Sequence, residues 1–242
     1  MKAMIFAAGL GTRLKPLTDT MPKAMVPVAG KPLLQHAIEK LKNAGFEEII
    51  INIHHFGQQI IDFVRSNNYF GIRIEFSDER EKLLDTGGGI KKASWFFDDA
   101  NPFLIHNVDI LSNIDLTELY ANHRNSDSIA TLVGSERQTS RYLMFDKQGQ
   151  LRGWIDERSG KTKSPLREFK LDAYNKRAFS GIHIIDPLIF PYFTNFPDKF
   201  SIIDFYLSIC DKEKLSCFTP KNLKTIDVGK PDSLKEAERF LC

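Results

Sequence analysis

The chain opens with apolar runs and amphipathic stretches in strict alternation. Met4 to Ala8 is apolar throughout and predicts a buried strand. Pro32 to Ala44 sets Leu33, Leu34, Ala37, Ile38 and Leu41 at helical spacing, with Gly45 placed to end the helix. EEIIINIH is a β-branched run and predicts a second buried strand, and Ile60, Ile61, Phe63 and Val64 make Phe56 to Arg65 helical. IRIEFSDE alternates and predicts a third strand. Strand–helix–strand–helix–strand implies a parallel sheet with helices on both faces.

Three glycines in LLDTGGGIKKASWFF open a predicted helix, and Trp95, Phe96 and Phe97 read as core. PFLIHNVDI is a strand ending on Asp109. DLTELYANHRN is a helix with Asp115 as N-cap and Glu118 three residues on, and SIATLVGS is a further strand. From about 141 to 185 the pattern becomes antiparallel. RYLMFDKQGQLRGWIDE predicts two strands joined at Gln148-Gly149, ERSGKTKSP a loop, and LREFKLDAY and KRAFSGIHII extended chain. This section is expected to roof one end of the parallel sheet. SIIDFYLSICDKE predicts a helix, LSCFTP a strand, KTIDVGKP a strand and turn, and Ser233 with Glu236 a capping box opening the last helix. With no internal repeat, linker or hexapeptide tail, residues 1–242 read as a single domain with an insertion.

Composition narrows the function classes. The 242 residues are 42% hydrophobic and 26% charged, and the net charge of +2 has no basic run, which argues against nucleic acid and membrane surfaces as partners. Cys210, Cys217 and Cys242 are odd in number and form no C-x-x-C pair, so a disulfide framework or zinc site is not expected. The N-terminus runs directly into a strand, and a cytoplasmic protein is expected.

Candidate chemistry begins where the first strand empties into Gly9, Gly11, Thr12 and Arg13, followed by Pro16, Pro22, Pro27 and the cation Lys23. Glycines and fixed positive charge suit a polyphosphate. Walker A spacing is absent, and Leu14 stands where the dinucleotide fingerprint needs glycine. Asp109 ends an apolar strand, where open α/β sheets hold ligands, and Asp227 repeats the situation before Gly229. Each is a cap or hydrogen-bond partner, or a cation ligand; two such carboxylates suit Mg²⁺. His54 and His55 end a strand and could point into the same crevice; His55 reads as a packing residue. The TGGG loop gives a flat group close backbone access, or is a tight turn. Ser180 lacks the G-x-S-x-G setting of a serine hydrolase.

GLGTRLKPLT followed by PKAMVPV resembles the signature of the sugar-1-phosphate nucleotidyltransferases, and LLDTGGGI, FLIHNVDI, AFSGIHII and TIDVGKPDSLKEAE resemble that family's later blocks in order. The resemblance implies a Rossmann-like α/β fold of the GT-A type, a mostly parallel sheet flanked by helices with a small antiparallel sugar-side insertion. It implies that Ala7, Ala8 and Gly9 contact the nucleoside, and that Gly11, Thr12, Arg13 and Lys23 hold the triphosphate. Gly87 and Gly88 would lie against the base, Asp109 and Asp227 would bind Mg²⁺, and Asn175 and Gly181 would lie near the sugar. The catalytic groups are then Arg13, Lys23 and Asp109. The partners are a nucleoside triphosphate and a sugar-1-phosphate, and the protein a monomer or small homo-oligomer. LLDTGGG and INIHHFGQQI look most like N-acetylmuramate-1-phosphate uridylyltransferases, with mannose- or heptose-1-phosphate guanylyltransferases also similar. WIDERSGKTKSP stands where many relatives carry V-E-K-P, and Val108 where N-G-D has glycine. Two further readings are a phosphocholine cytidylyltransferase, using Trp154 and Tyr174 as cation-binding aromatics, and a non-catalytic sensor of nucleotide sugars.

Overall fold

A computed structural model describes residues 1–241; Cys242 lies outside the described residues. Strand β1 (Lys2–Phe6) leads to a loop of short 3₁₀ turns, the two-residue strands β2 (Pro27–Val28) and β3 (Lys31–Pro32), and helix α1 (Leu33–Asn43). Strand β4 (Glu48–Ile53), helix α2 (Gly57–Ser66) and strand β5 (Arg73–Asp78) follow, each within a residue or two of its predicted span. Helix α3 (Asp85–Lys92) contains the three glycines. Strand β6 (Phe103–Asn107) is followed by β7 (Ile110–Ser112), α4 (Leu116–Arg124) and β8 (Ala130–Ser135). The antiparallel section comprises β9 (Arg141–Phe145), β10 (Leu151–Asp156), β11 (Lys161–Lys163) and the long β12 (Asn175–Ile185). The chain continues through α5 (Ile202–Ile209), β13 (Leu215–Phe218), β14 (Thr225–Asp227) and α6 (Pro231–Leu241).

The main sheet has the order β11-β10-β9-β12-β6-β1-β4-β5, with β8 also on β12 and β13 on β8. Strands β6, β1, β4 and β5 are mutually parallel, and β12 runs antiparallel to β6. Alternate residues face opposite cores. Ala3, Ile5, Ile49, Ile51 and Leu104 meet α1, α2, α4 and α6, while Met4, Ile50, Phe103 and Ile105 meet α3 and α5. A sheet buried on both faces needs apolar residues at both parities, which explains the unbroken apolar runs. Strand β12 joins the main and antiparallel regions. Its last residues pair with β6 and its first with β9, and between them the β8 register shifts at Gly181, whose φ is +70°.

Four expectations change. ERSGKTKSP is not loop throughout, because Lys161–Lys163 pairs antiparallel with Trp154–Asp156 as strand β11. Trp95 is 54% exposed, because a short 3₁₀ turn sends Trp95, Phe96 and Phe97 in different directions and buries only the last two. LREFKLDAY is not extended: it is bends and a 3₁₀ turn over Leu171–Ala173, held by Phe169 stacked on Tyr174. Helix α6 begins at Pro231 rather than after Ser233, since proline suits a first helical position; the Ser233 hydroxyl instead donates to Lys230 O at 2.7 Å.

Candidate active site

The C-terminal ends of β1, β4 and β6 open into a cleft of about 520 Å³. Its wall includes the loop from Ala7 to Arg13, then Lys23, Asn107, Val108 and Asp109, with Gly229 entering from the turn after β14. This is the position where parallel sheets leave strand ends uncovered.

The loop is shaped by Gly11, whose φ of +64° lies in the left-handed region. A Cβ there would stand 2.9 Å from Thr18 Cγ2 and 3.1 Å from Lys23 Cβ, so the loop folds directly over the lysine. The Thr18 hydroxyl donates to Gly11 O at 2.9 Å and Leu14 N donates to the same carbonyl at 2.9 Å. Lys23 is 8% exposed and its ammonium forms an ion pair with Asp109. Arg13 is exposed, and its guanidinium lies beside Gly229: a Cβ on that glycine would meet Arg13 Nη2 at 2.8 Å and Asp227 Oδ1 at 2.7 Å.

Asp109 and Asp227 come together through backbone pairing. Strand β14 runs antiparallel to β7 with Asp227 opposite Ile110, and Val228 N donates to Asp109 O at 2.9 Å. Asp227 Oδ1 is buried with no hydrogen-bond partner among the described residues. Asp227 does not itself line the cleft, whereas Gly229 two residues on does; an orphaned buried carboxylate oxygen beside it is costly unless a cation or donor meets it. No cluster of three or more His, Cys, Asp or Glu able to hold a metal occurs among the described residues. A carboxylate pair completed by substrate oxygens and water is what Mg²⁺ accepts, so the donor set fits that ion.

The rear of the cleft contains groups the sequence patterns did not single out. Asn52 Oδ1 accepts from Ala7 N at 2.7 Å and Ala8 N at 3.2 Å, so both amides are already satisfied. Asn52 Nδ2 donates to Glu79 Oε1 at 2.8 Å, and Leu84 N donates to Glu79 Oε2 at 3.1 Å. Burial pushes the Glu79 carboxyl above its ordinary pKa, against the opposing pull of the Asn52 and Leu84 hydrogen bonds. A lone polar residue inside the EEIIINIH run was the available signal for Asn52. Lys199, at the rim, carried none.

Several expected site residues lie elsewhere. Gly87 and Gly88 do not line the cleft, whereas Asp85 and Thr86 do. The amides of Gly87 and Gly88 donate to Phe200 O at 2.9 and 3.3 Å, and Cβ atoms there would stand 2.2 Å from the Phe200 ring and 2.0 Å from Asp198 O. These glycines admit the chain before α5. Asn175 is exposed at the start of β12, away from the cleft lining. Gly181 is buried behind Asn107, where a Cβ would meet Asn107 Nδ2 at 2.6 Å, so it sets that side chain's position. No residue from 141–185 lines the cleft: the antiparallel sheet stands beside it. Trp154 and Tyr174 form no cage, because Lys163 lies 5.3 Å over the Trp154 ring and Tyr174 stacks on Phe169. Val108 is buried, and its amide donates to Phe6 O at 3.1 Å.

A family model described as nucleotidyl transferase matches residues 2–242. An N-acetylmuramate alpha-1-phosphate uridylyltransferase from Caulobacter vibrioides is 43% identical over 257 aligned positions, covering 99% of this chain and 96% of that protein. A UTP--glucose-1-phosphate uridylyltransferase from Synechocystis is 30% identical across 96% of this chain, and the chain spans 61% of that protein's length. Among solved structures, HddC from Yersinia pseudotuberculosis complexed with GMP-PN superposes with a TM-score of 0.77 at 27% identity, covering 100% of this chain and 99% of that one.

Proposed function

The chain belongs to the nucleotidyl transferase family, and we propose that it joins UTP to N-acetylmuramate 1-phosphate, forming a UDP-sugar and pyrophosphate. The observation that carries the reaction type is the convergence of Arg13 and the Lys23–Asp109 pair on one cleft at the ends of β1 and β6. The substrate reading rests on the 43% identity to the Caulobacter protein along nearly the full length of both chains.

In this mechanism a phosphate oxygen of the sugar-1-phosphate attacks the α-phosphorus of UTP. The new P–O bond forms as the bond to the oxygen bridging the β-phosphorus breaks, and pyrophosphate departs with that electron pair. A phosphate monoester has a second pKa of about 6, so the nucleophile is already anionic and no proton need be removed. That agrees with a cleft lined, among the described residues, by neither histidine nor cysteine. The protein's work is positioning and charge stabilisation. Arg13 offers a planar fork to phosphate oxygens. Lys23 offers a point charge, aimed by its bond to Asp109. Asp109 and Asp227 would hold Mg²⁺, which when bound draws negative charge from the phosphates. Asn107, fixed from behind by Gly181, faces the cleft with an amide suited to sugar or ribose hydroxyls.

A guanylyl-transfer reading is favoured by the likeness to HddC, whose structure holds GMP-PN. Pyrophosphate release measured for the four nucleoside triphosphates against a panel of sugar-1-phosphates separates the two. UTP with N-acetylmuramate 1-phosphate is expected to turn over fastest. Turnover with GTP and a heptose or mannose 1-phosphate, without UTP activity, would overturn the substrate reading. A cytoplasmic setting accompanies the proposal, supported by the free thiols of Cys210 and Cys217.

A further inference from the structure

The two cations assigned to the nucleotide's phosphates lie against the two carboxylates assigned to Mg²⁺. The Lys23 ammonium donates to Asp109 Oδ2, and both residues line the cleft with side chains 10% and 18% exposed. Arg13 Nη2 and Asp227 Oδ1 flank one point beside Gly229, at 2.8 and 2.7 Å from it. Asp109 Oδ2 therefore already holds a cation. A divalent ion on the same carboxylate would meet a like charge at close range, where water screens it poorly.

The backbone of Lys23 is fixed while its charge is mobile. Met25 N donates to Pro22 O at 2.8 Å and Val26 N to Lys23 O at 3.1 Å, closing the 3₁₀ turn over Lys23–Met25. Gly11, held by the Thr18 hydroxyl, folds the glycine loop over the Lys23 Cβ. A flexible four-carbon stem lets the ammonium swing between Asp109 and that loop with the backbone at rest. The charges of Arg13, Lys23, Asp109 and Asp227 balance. A bare divalent ion would leave its own charge uncompensated among them, whereas a triphosphate supplies anions for both cations.

We propose that Lys23 gates the metal: its ammonium holds Asp109 against a divalent ion and releases that carboxylate when a triphosphate takes the ammonium up. This rests on the reading of the cleft as a nucleotide and Mg²⁺ site, and adds the order in which that site fills. Nucleotide and metal are then positively coupled, and by linkage each raises the other's affinity by the same factor.

The test needs no turnover. Mn²⁺, which takes the same oxygen donors as Mg²⁺, is titrated into the whole chain without nucleotide, and the unbound ion is counted from its electron paramagnetic resonance signal. The unmodified chain is expected to bind it weakly. Lys23→Met is expected to tighten binding by roughly 5–150-fold, the span of coupling between linked sites. Lys23→Arg keeps the charge and is expected to stay weak. Lys23→Gln removes the charge and is expected to show the same gain should Lys23→Met not fold. Adding Asp109→Asn to the uncharged variant is expected to abolish the gain.

Equal affinity in the unmodified chain and the uncharged variants overturns the proposal, because the ion would then share Asp109 with the lysine or bind elsewhere. A gain that survives Asp109→Asn overturns it too. Pyrophosphate release by the unmodified chain is scored separately. Its absence beside the gain in Lys23→Met strikes the reaction and leaves the gate; its presence without the gain strikes the gate alone.

Discussion

The ammonium of Lys23 is ion-paired with the carboxylate of Asp109, joining two segments 86 residues apart across the mouth of one cleft. The side chains are 10% and 18% exposed, so neither charge is well hydrated. Removing one partner strands the other, which costs about 3–5 kcal/mol where burial is complete and less at this exposure. Lys23→Met is therefore expected to lower stability by roughly 1–3 kcal/mol and kcat by about 10²-fold. Lys23→Met with Asp109→Leu is expected to recover most of the stability and none of the activity. Urea denaturation and steady-state kinetics on the two variants and the original chain check this.

Gly11→Ala adds a methyl group against Thr18 and Lys23 at a φ of +64°. The left-handed conformation costs a non-glycine residue about 1–2 kcal/mol. The displaced Lys23 is expected to raise KM for the nucleotide more than it lowers the melting temperature. Equal KM values for the variant and the original chain would contradict the loop's role.

Gly88→Ala has a different expected signature. Its Cβ would stand 2.0 Å from the carbonyl oxygen of Asp198, a backbone atom with no rotamer to yield. Overpacking of this kind costs about 1–3 kcal/mol. The loss should appear chiefly as reduced stability, with kcat per folded molecule nearly kept. Differential scanning calorimetry alongside kinetics makes the distinction from Gly11→Ala.

These two glycines show what the sequence made legible. Periodicity located β1, α1, β4, α2 and β5, because a sheet covered on both faces writes its burial directly into apolar spacing. It also led to Asp109, which lies in the turn just after β6. A glycine states only that something comes close, and nothing in TGGG told a nucleobase from the Phe200 ring. Asn52 and Glu79 were illegible for a related reason. A polar residue inside an apolar strand, like Asn52, or just past an alternating one, like Glu79, can satisfy the core or face a cleft, and only their mutual hydrogen bond and position at the rear of the cleft decide it. LREFKLDAY mimicked a strand because Phe169, Leu171 and Ala173 stand at alternating positions, whereas in the fold Phe169 stacks on Tyr174 across a set of bends.

His183 makes acid stability measurable. It is buried, neither ring nitrogen has a partner among the described residues, and burial lowers its pKa from 6.5 to about 3. Between those values the unfolded chain binds the proton and the folded chain does not, so stability falls as pH drops from 6.5 toward 3. His183→Leu removes that linkage. Its stability curve is expected to be flatter across this window by up to about 1.4 kcal/mol per pH unit. Parallel curves for the two proteins would show that His183 is protonated alike in both states.

Asn52→Leu tests the rear of the cleft. It removes the acceptor for Ala7 N and Ala8 N and the donor to Glu79. Each buried group left unpaired costs about 1–3 kcal/mol. The variant is expected to be less stable, with the Glu79 carboxyl raised further by losing a hydrogen bond to its charged form; carboxyl ¹³C titration reads that rise directly.

The central claim is transfer at the α-phosphorus of the nucleotide, and the most direct measurement follows a label placed there. With UTP labelled at its α-phosphorus and N-acetylmuramate 1-phosphate present, the label is expected to enter a sugar nucleotide while one unlabelled pyrophosphate is released per turnover. Label recovered in UDP, with the γ-phosphate on the sugar, or in UMP without a sugar nucleotide, would contradict it.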